Sequence, residues 1–152
     1  MNPVLRPARP EDLPAVRALL EEAKLPLEGF DTAAAVWVAT VQGSVTGAVA
    51  FERHGGLGLL RSLVVAPSHR GCGVGGRLLV RAVRAMQAAG LSDAYALTTT
   101  IAPWLAREGW SELPQAKLPA ALSASAELQG ACPASAKAFH LPLAAPKPPV
   151  AA

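Results

Sequence analysis

Cysteine is scarce in this 152-residue chain, and the two present, Cys72 and Cys132, have no CxxC partner and no histidine at metal-ligand spacing. That excludes a disulfide framework and a Cys/His metal site, so no metal is expected and reduced thiols follow. Aromatic residues make up only 5%, with one tyrosine, Tyr95. No apolar stretch approaches the ~20 residues of a membrane span, although 51% of residues are hydrophobic, because alanine supplies much of that fraction. The opening MNPVLRPARPED lacks the apolar core of a secretory signal, which predicts a soluble, cytoplasmic protein without a membrane partner. Strong charge of either sign is also missing. The formal balance is +3, and Arg77, Arg81 and Arg84 share one helical face rather than forming a basic tract, so no nucleic-acid partner is expected.

Glycine is present in quantity, and it is concentrated. Residues 59 to 76 read LLRSLVVAPSHRGCGVGG: an apolar strand-like run, a turn at Pro67, then Arg70 and four glycines entering a helical pattern. Glycines let the backbone approach an anion closely, and the following helix aims free N–H groups and its positive dipole end at that anion. The segment reads as a pyrophosphate cradle with Arg70 as a fixed charge. Gly71, Gly73 and Gly76 also spell G-x-G-x-x-G, with Asp93 about 20 residues on. Chain order opposes a dinucleotide domain, because too few strands follow and Asp93 begins a strand instead of ending one. A Walker-type loop fails because no Lys-Ser or Lys-Thr pair closes the glycines.

Around the cradle, Val4–Arg6 predicts a first strand and Leu13, Val16, Leu19, Leu20 and Ala23 an amphipathic helix ended by Pro26. Residues 26 to 34 read as a linker or broken helix. Val36–Val41 and Val45–Phe51 flank a polar turn and predict a hairpin; Leu59–Val65 is the next strand. Gly73–Ala89 is helical with Leu78, Leu79, Ala82, Val83 and Met86 inward, Gly90 stops it, and Ala94–Thr99 forms a fifth strand. Thr98–Thr100 can cap a short helix through Trp104 and Leu105, closed by Gly109. A stretch from Pro119 to Leu128 predicts a short helix, and Lys137–Leu143 a last strand. The boundaries are one domain, 1–143, and a Pro/Ala-rich tail, 144–152, expected to be disordered.

Arg70-Gly71-Cys72-Gly73-Val74-Gly75 fits R/Q-x-x-G-x-G/A, and Leu63-Val64-Val65-Ala66-Pro67 fits the L-x-V strand and proline that precede it. On these residues the chain resembles the GNAT N-acetyltransferase family over roughly residues 3 to 143. The resemblance implies an α/β (α+β) fold with a mixed sheet of six to seven strands, flanked by helices and splayed between the fourth and fifth. It implies acetyl-CoA as cosubstrate, held by Leu63, Val64, Val65, Arg70, Gly71, Cys72, Gly73, Val74, Gly75, Gly76 and Arg77. The implied reaction is direct acetyl transfer to an amine, with Glu52 as base, acting directly or through water, and His54 as an alternative. Where the family usually carries a tyrosine general acid, this chain has Leu105, so water, Cys132, Ser135 or another group that the sequence does not identify would have to protonate the thiolate. Arg61, inside an otherwise apolar run, has two readings: a clamp for an acceptor carboxylate or oxyanion, alongside Ser62 and Thr98, or a structural role at a surface edge or in an internal ion pair, for example with Glu52 across the hairpin. LLRSLVVAP, LTTT and CPASA are further similar to the arsenic-resistance-associated members, which implies a small amino-acid-like acceptor such as an organoarsenical. The alternatives are a protein or peptide acetyltransferase and a noncatalytic acetyl-CoA-binding module. The family's frequent dimers make a homodimer a further expectation.

Overall fold

Polar turn residues set the first half of the sheet. Gln42 and Gly43, with φ of 49° and 81°, form a two-residue reversal between β2 (Ala35–Val41) and β3 (Ser44–His54). Positive φ at both positions matches the right-handed twist of the flanking strands. Gly55, φ 64°, starts the next reversal, into β4 (Leu57–Val65). With β1 (Val4–Pro7) antiparallel to β2, four strands form a meander. The computed structural model describes residues 2–29, 33, 35–128 and 135–143.

The chain then crosses over through α2 (Val74–Ala88) to place β5 (Asp93–Thr98) parallel to β4. β7 (Lys137–Pro142) pairs antiparallel with β5, and β6 (Ser111–Leu113) closes the far edge, giving the order β1-β2-β3-β4-β5-β7-β6. This is the mixed seven-stranded sheet expected. α2 buries Leu78, Leu79, Ala82 and Met86 against one face, with Val49, Phe51 and Leu60 among their partners. On the other face α1 (Leu13–Glu22) packs Val16 and Leu20 on Val38, Ala48 and Val64. No helix among the described residues is long and apolar enough to cross a membrane.

Two irregularities in β4 position the site. Leu57–Leu60 pair with Asp93–Ala96, but residues 61–65 have no partner on β5, so the two strands part there, as the resemblance implied. On the opposite edge Ala50 faces Arg61 and Ala48 faces Val64, leaving Ser62 and Leu63 against the single residue Val49. Such a bulge interrupts the ladder and bends the strand. Ser62 adopts φ 58°, unusual for a residue with a side chain. The stretch 119–128 differs from the single helix expected: it forms a short 3-10 turn, Ala120–Ala124, bracketed by extended Pro119 and Ser125.

Candidate active site

Two cavities flank the parted end of β4. The smaller, about 320 Å³, is lined by Val65, His69, Arg70, Gly71, Gly73, Val74, Gly75 and Trp104. Gly71 and Gly73 both take φ 80°, and a Cβ on either would meet no protein atom within 4 Å, so these positions combine a left-handed turn with open space. Gly73 caps α2 without a side-chain hydrogen bond, and the first turn carries no acid. The leading N–H groups of a helix lack intrahelical acceptors, so this end presents donors and a positive dipole to whatever enters. Arg70 is exposed and donates from Nε to the Val65 carbonyl at 3.1 Å, which fixes it beside the loop. Arg77 turns elsewhere: its Nη1 donates to the Pro3 carbonyl at 3.2 Å. Cys72 is exposed, with Sγ 3.8 Å from the Arg70 carbonyl, and Gly76 has open space beside it.

The larger cavity, about 410 Å³, lies beyond the splay. Its walls are residues 24–28 after α1, Leu60–Leu63 of β4, Ala96–Ile101 at the end of β5, Leu105 of α3 (Ala102–Arg107), Glu127 and Ala136. Of the non-glycine residues with positive φ among those described, Gln42 serves the hairpin, while Lys24 and Ser62 both line this cavity. Thr98 Oγ1 accepts from the N–H groups of Thr100 and Ile101 at 3.1 Å each, so it shapes the strand-to-helix corner; Ile101 is the residue at the helix cap.

Under this cavity lies a charged cluster. Arg61, 3% exposed, donates from Nη1 to Glu52 Oε2 at 2.7 Å, from Nε to Ser62 Oγ at 3.1 Å and from Nη2 to the Pro26 carbonyl at 3.5 Å. Its Nε also lies 3.7 Å from Glu127 Oε1. Gly29, φ 81°, allows the loop to close over it: a Cβ there would stand 3.1 Å from Arg61 Nη1. Glu52 Oε1 is 2.8 Å from His54 Nε2. Burial pushes the Glu52 carboxyl up, but hydrogen bonds from His54, Arg61 and Ser125 outweigh it, and the net direction is downward. Glu52 is therefore an ionised partner of Arg61 at neutral pH.

The expected site residues thus divide between the two cavities. Leu63 lines the larger one, Val65 the smaller, and Val64 turns to the α1 face. Of the two readings of Arg61, the Glu52 ion pair is present. Glu52 and His54 stand behind Arg61 and do not line either cavity. Leu105 is fully buried on the larger cavity's wall and brings no proton donor. Tyr95 stacks on His140 at 4.8 Å and is not among the residues lining either cavity, and burial raises its pKa. Ser135 is exposed, and Cys132 lies outside the described residues. Sequence reading missed Glu127, 5% exposed, whose buried charge has no local motif to announce it.

An acetyltransferase (GNAT) domain model matches residues 32–112. The N-acetylglutamate synthase of Neisseria gonorrhoeae, solved with coenzyme A and N-acetyl-glutamate, superposes with TM-score 0.80 at 23% identity over 95% of this chain, which spans 36% of that protein. The Mycobacterium tuberculosis protein Rv2747, solved with CoA, gives TM-score 0.77 at 24% identity over 93% of this chain and 100% of its own length. At such identities the likeness is one of fold. No curated protein sequence matches the chain.

Proposed function

The chain belongs to the GNAT acetyltransferase family, and from that premise we propose that it moves an acetyl group from acetyl-CoA directly to the amine of a small, amino-acid-like acceptor. The observation that carries this reading is the pairing of an anion-ready helix end with a cavity of mixed polar and apolar walls, one on either side of the bulged, parted end of β4. The uncapped amides of α2, the open glycine turns and Arg70 suit a pyrophosphate. The slot between Val65, Gly75 and Trp104 is the natural course for a pantetheine arm running toward Leu63. Acetyl-CoA supplies an activated thioester; the rest is positioning by this chain.

Backbone donors of β4 around Leu63 and Val65, on the edge that β5 leaves unpaired, are placed to polarise the thioester carbonyl, the largest single contribution such a site makes. Attack forms the N–C bond and breaks the C–S bond; one proton leaves the ammonium beforehand and a second leaves nitrogen as the thiolate departs. We assign the first to the Glu52–His54 pair, reached through water because neither residue lines the cavity. The second reaches sulfur from water, since Leu105 replaces the family's tyrosine. Because thiolates leave readily, the missing acid costs no more than the ~10²- to 10⁴-fold that proton transfer contributes.

The similarity of LLRSLVVAP and LTTT to arsenic-resistance-associated members extends the proposal to amino-acid-like organoarsenicals as acceptors. Release of free thiol from acetyl-CoA, measured against a panel of amino acids and organoarsenicals, tests it. Turnover of a small amine supports the reading; acetyl-CoA binding with turnover of peptide lysines alone would replace it with protein acetylation.

A further inference from the structure

Three segments of the larger cavity's wall converge on one guanidinium. Pro26 of the loop after α1, Ser62 at the bulge of β4 and Glu127 all line the space. The Pro26 carbonyl stands 3.5 Å from Arg61 Nη2, while Ser62 Oγ and Glu127 Oε1 stand 3.1 and 3.7 Å from Nε. Behind the wall, Glu52 Oε2 is 2.7 Å from Nη1. The Arg61 side chain itself is 0% exposed, so the cavity offers an acceptor no guanidinium face to bind.

We infer that Arg61 is a positioning residue of the acetyl transfer: its fork holds the 26–29 loop, the Ser62 bulge and Glu52 in one arrangement, and so sets the acceptor's fit without touching the acceptor. This deepens the acetyl-transfer reading and rests on it. Arginine presents five N–H donors in a planar array, so its three nitrogens serve partners on β3, β4 and the loop at once, where a lysine ammonium is a single point. Ser62 holds φ 58°, a strained conformation that persists only where its surroundings fix it, and its hydroxyl accepts from Arg61 Nε. On the loop side, Gly29 at φ 81° passes so close that a Cβ there would stand 3.1 Å from Arg61 Nη1. Among the described residues, the groups facing Glu52 are His54 on its own strand, Arg61 on β4 and the Ser125 hydroxyl, and of these only Arg61 carries a fixed charge.

The test reads thiol release from acetyl-CoA with L-glutamate, or with phenethylamine where glutamate is not turned over, beside acetyl-CoA affinity and melting temperature. The full chain is compared with Arg61→Lys, which keeps the charge and loses the fork, with Arg61→Gln, which loses both, and with Gly29→Ala, which crowds the guanidinium from the loop. Acceptor KM should rise about tenfold or more in both Arg61 variants, with acetyl-CoA affinity unchanged. The acid limb of the kcat profile should move to higher pH in Arg61→Gln, because Glu52 loses its cation, and return toward the wild-type position in Arg61→Lys. Gly29→Ala should raise acceptor KM and leave the acid limb in place; it decides the matter alone if the buried Arg61 variants do not fold. The inference is overturned if Arg61→Lys has the wild-type acceptor KM, as a simple charge contact with the acceptor would allow, or if acetyl-CoA affinity falls in step with acceptor KM, as a merely structural Arg61 would require. An unmoved acid limb in Arg61→Gln, or an unchanged acceptor KM in Gly29→Ala, overturns it equally. Failure of the wild type to bind acetyl-CoA, or to turn over either amine, is a different result: it overturns the acetyl-transfer reading and this inference with it.

Discussion

Glu52 and Arg61 are each other's condition. A carboxylate hydrogen-bonded by a buried guanidinium, an imidazole and a hydroxyl stays ionised, and a guanidinium with a fully buried side chain persists only because acids meet it. Glu52→Gln keeps the shape and removes the charge. It should lower kcat by about 10²-fold or more and leave acetyl-CoA affinity unchanged, as steady-state kinetics and a binding titration would reveal. Equal losses in both would deny Glu52 a part in proton transfer. Arg61→Ala leaves Glu52 and Glu127 facing each other without their shared cation, so urea unfolding should show a loss of about 3 kcal/mol. A loss below about 1 kcal/mol would mean that the cluster stabilises little.

At the scale of elements, α2 joins stability to function through glycine. Gly75 lies in the first turn of the helix, and a Cβ there would make ordinary contacts, 3.6 Å to Val65 and 3.7 Å to Trp104. Gly75→Ala should raise stability by about 0.5 to 1 kcal/mol, as helix propensity dictates, and weaken acetyl-CoA binding because the methyl narrows the slot. Thermal melts and titration of one preparation check both halves; tighter or unchanged binding would place the cofactor elsewhere. The glycine run was legible because a left-handed turn before a helix leaves few other residues to choose from. α1, α2 and the hairpin were legible from apolar period and turn chemistry. The bulge at Ser62 was not, because its positive φ falls on serine inside an apolar run and is imposed by pairing with β3.

Across the whole molecule, contacts far apart in sequence complete what local pattern begins. Arg61 meets Glu127 only because the 119–128 stretch folds back over the sheet face carrying Arg61, Glu52 and His54, and no spacing rule in the chain records that meeting. The acid side of stability is set by similar links. Asp12 receives two hydrogen bonds from Arg6, at 2.6 and 3.0 Å, and one from the Arg9 N–H at 2.7 Å, tying β1 to the start of α1. These bonds lower its pKa to about 2, with the Arg6 hydrogen bonds the chief cause. Asp93 is lowered in the same direction, first by its hydrogen bond to His140 and then by Ser92. A depressed carboxyl contributes stability above its unfolded pKa, and that contribution disappears as pH falls through the folded value. Stability should therefore decline from about pH 4 toward pH 2. In Asp12→Asn the fall over that window should be shallower and neutral-pH stability lower by about 1 kcal/mol. An unchanged acid limb in urea titrations would show that the Arg6–Asp12 link carries no such weight.

Calorimetric titration of the purified chain with acetyl-CoA, alongside NADH and an Arg70→Ala variant, decides whether the glycine cradle holds the cofactor at all. The site described predicts micromolar acetyl-CoA binding, weakened about tenfold or more without the Arg70 charge, and no binding of NADH. Absence of acetyl-CoA binding, or equal affinity for NADH, would contradict it.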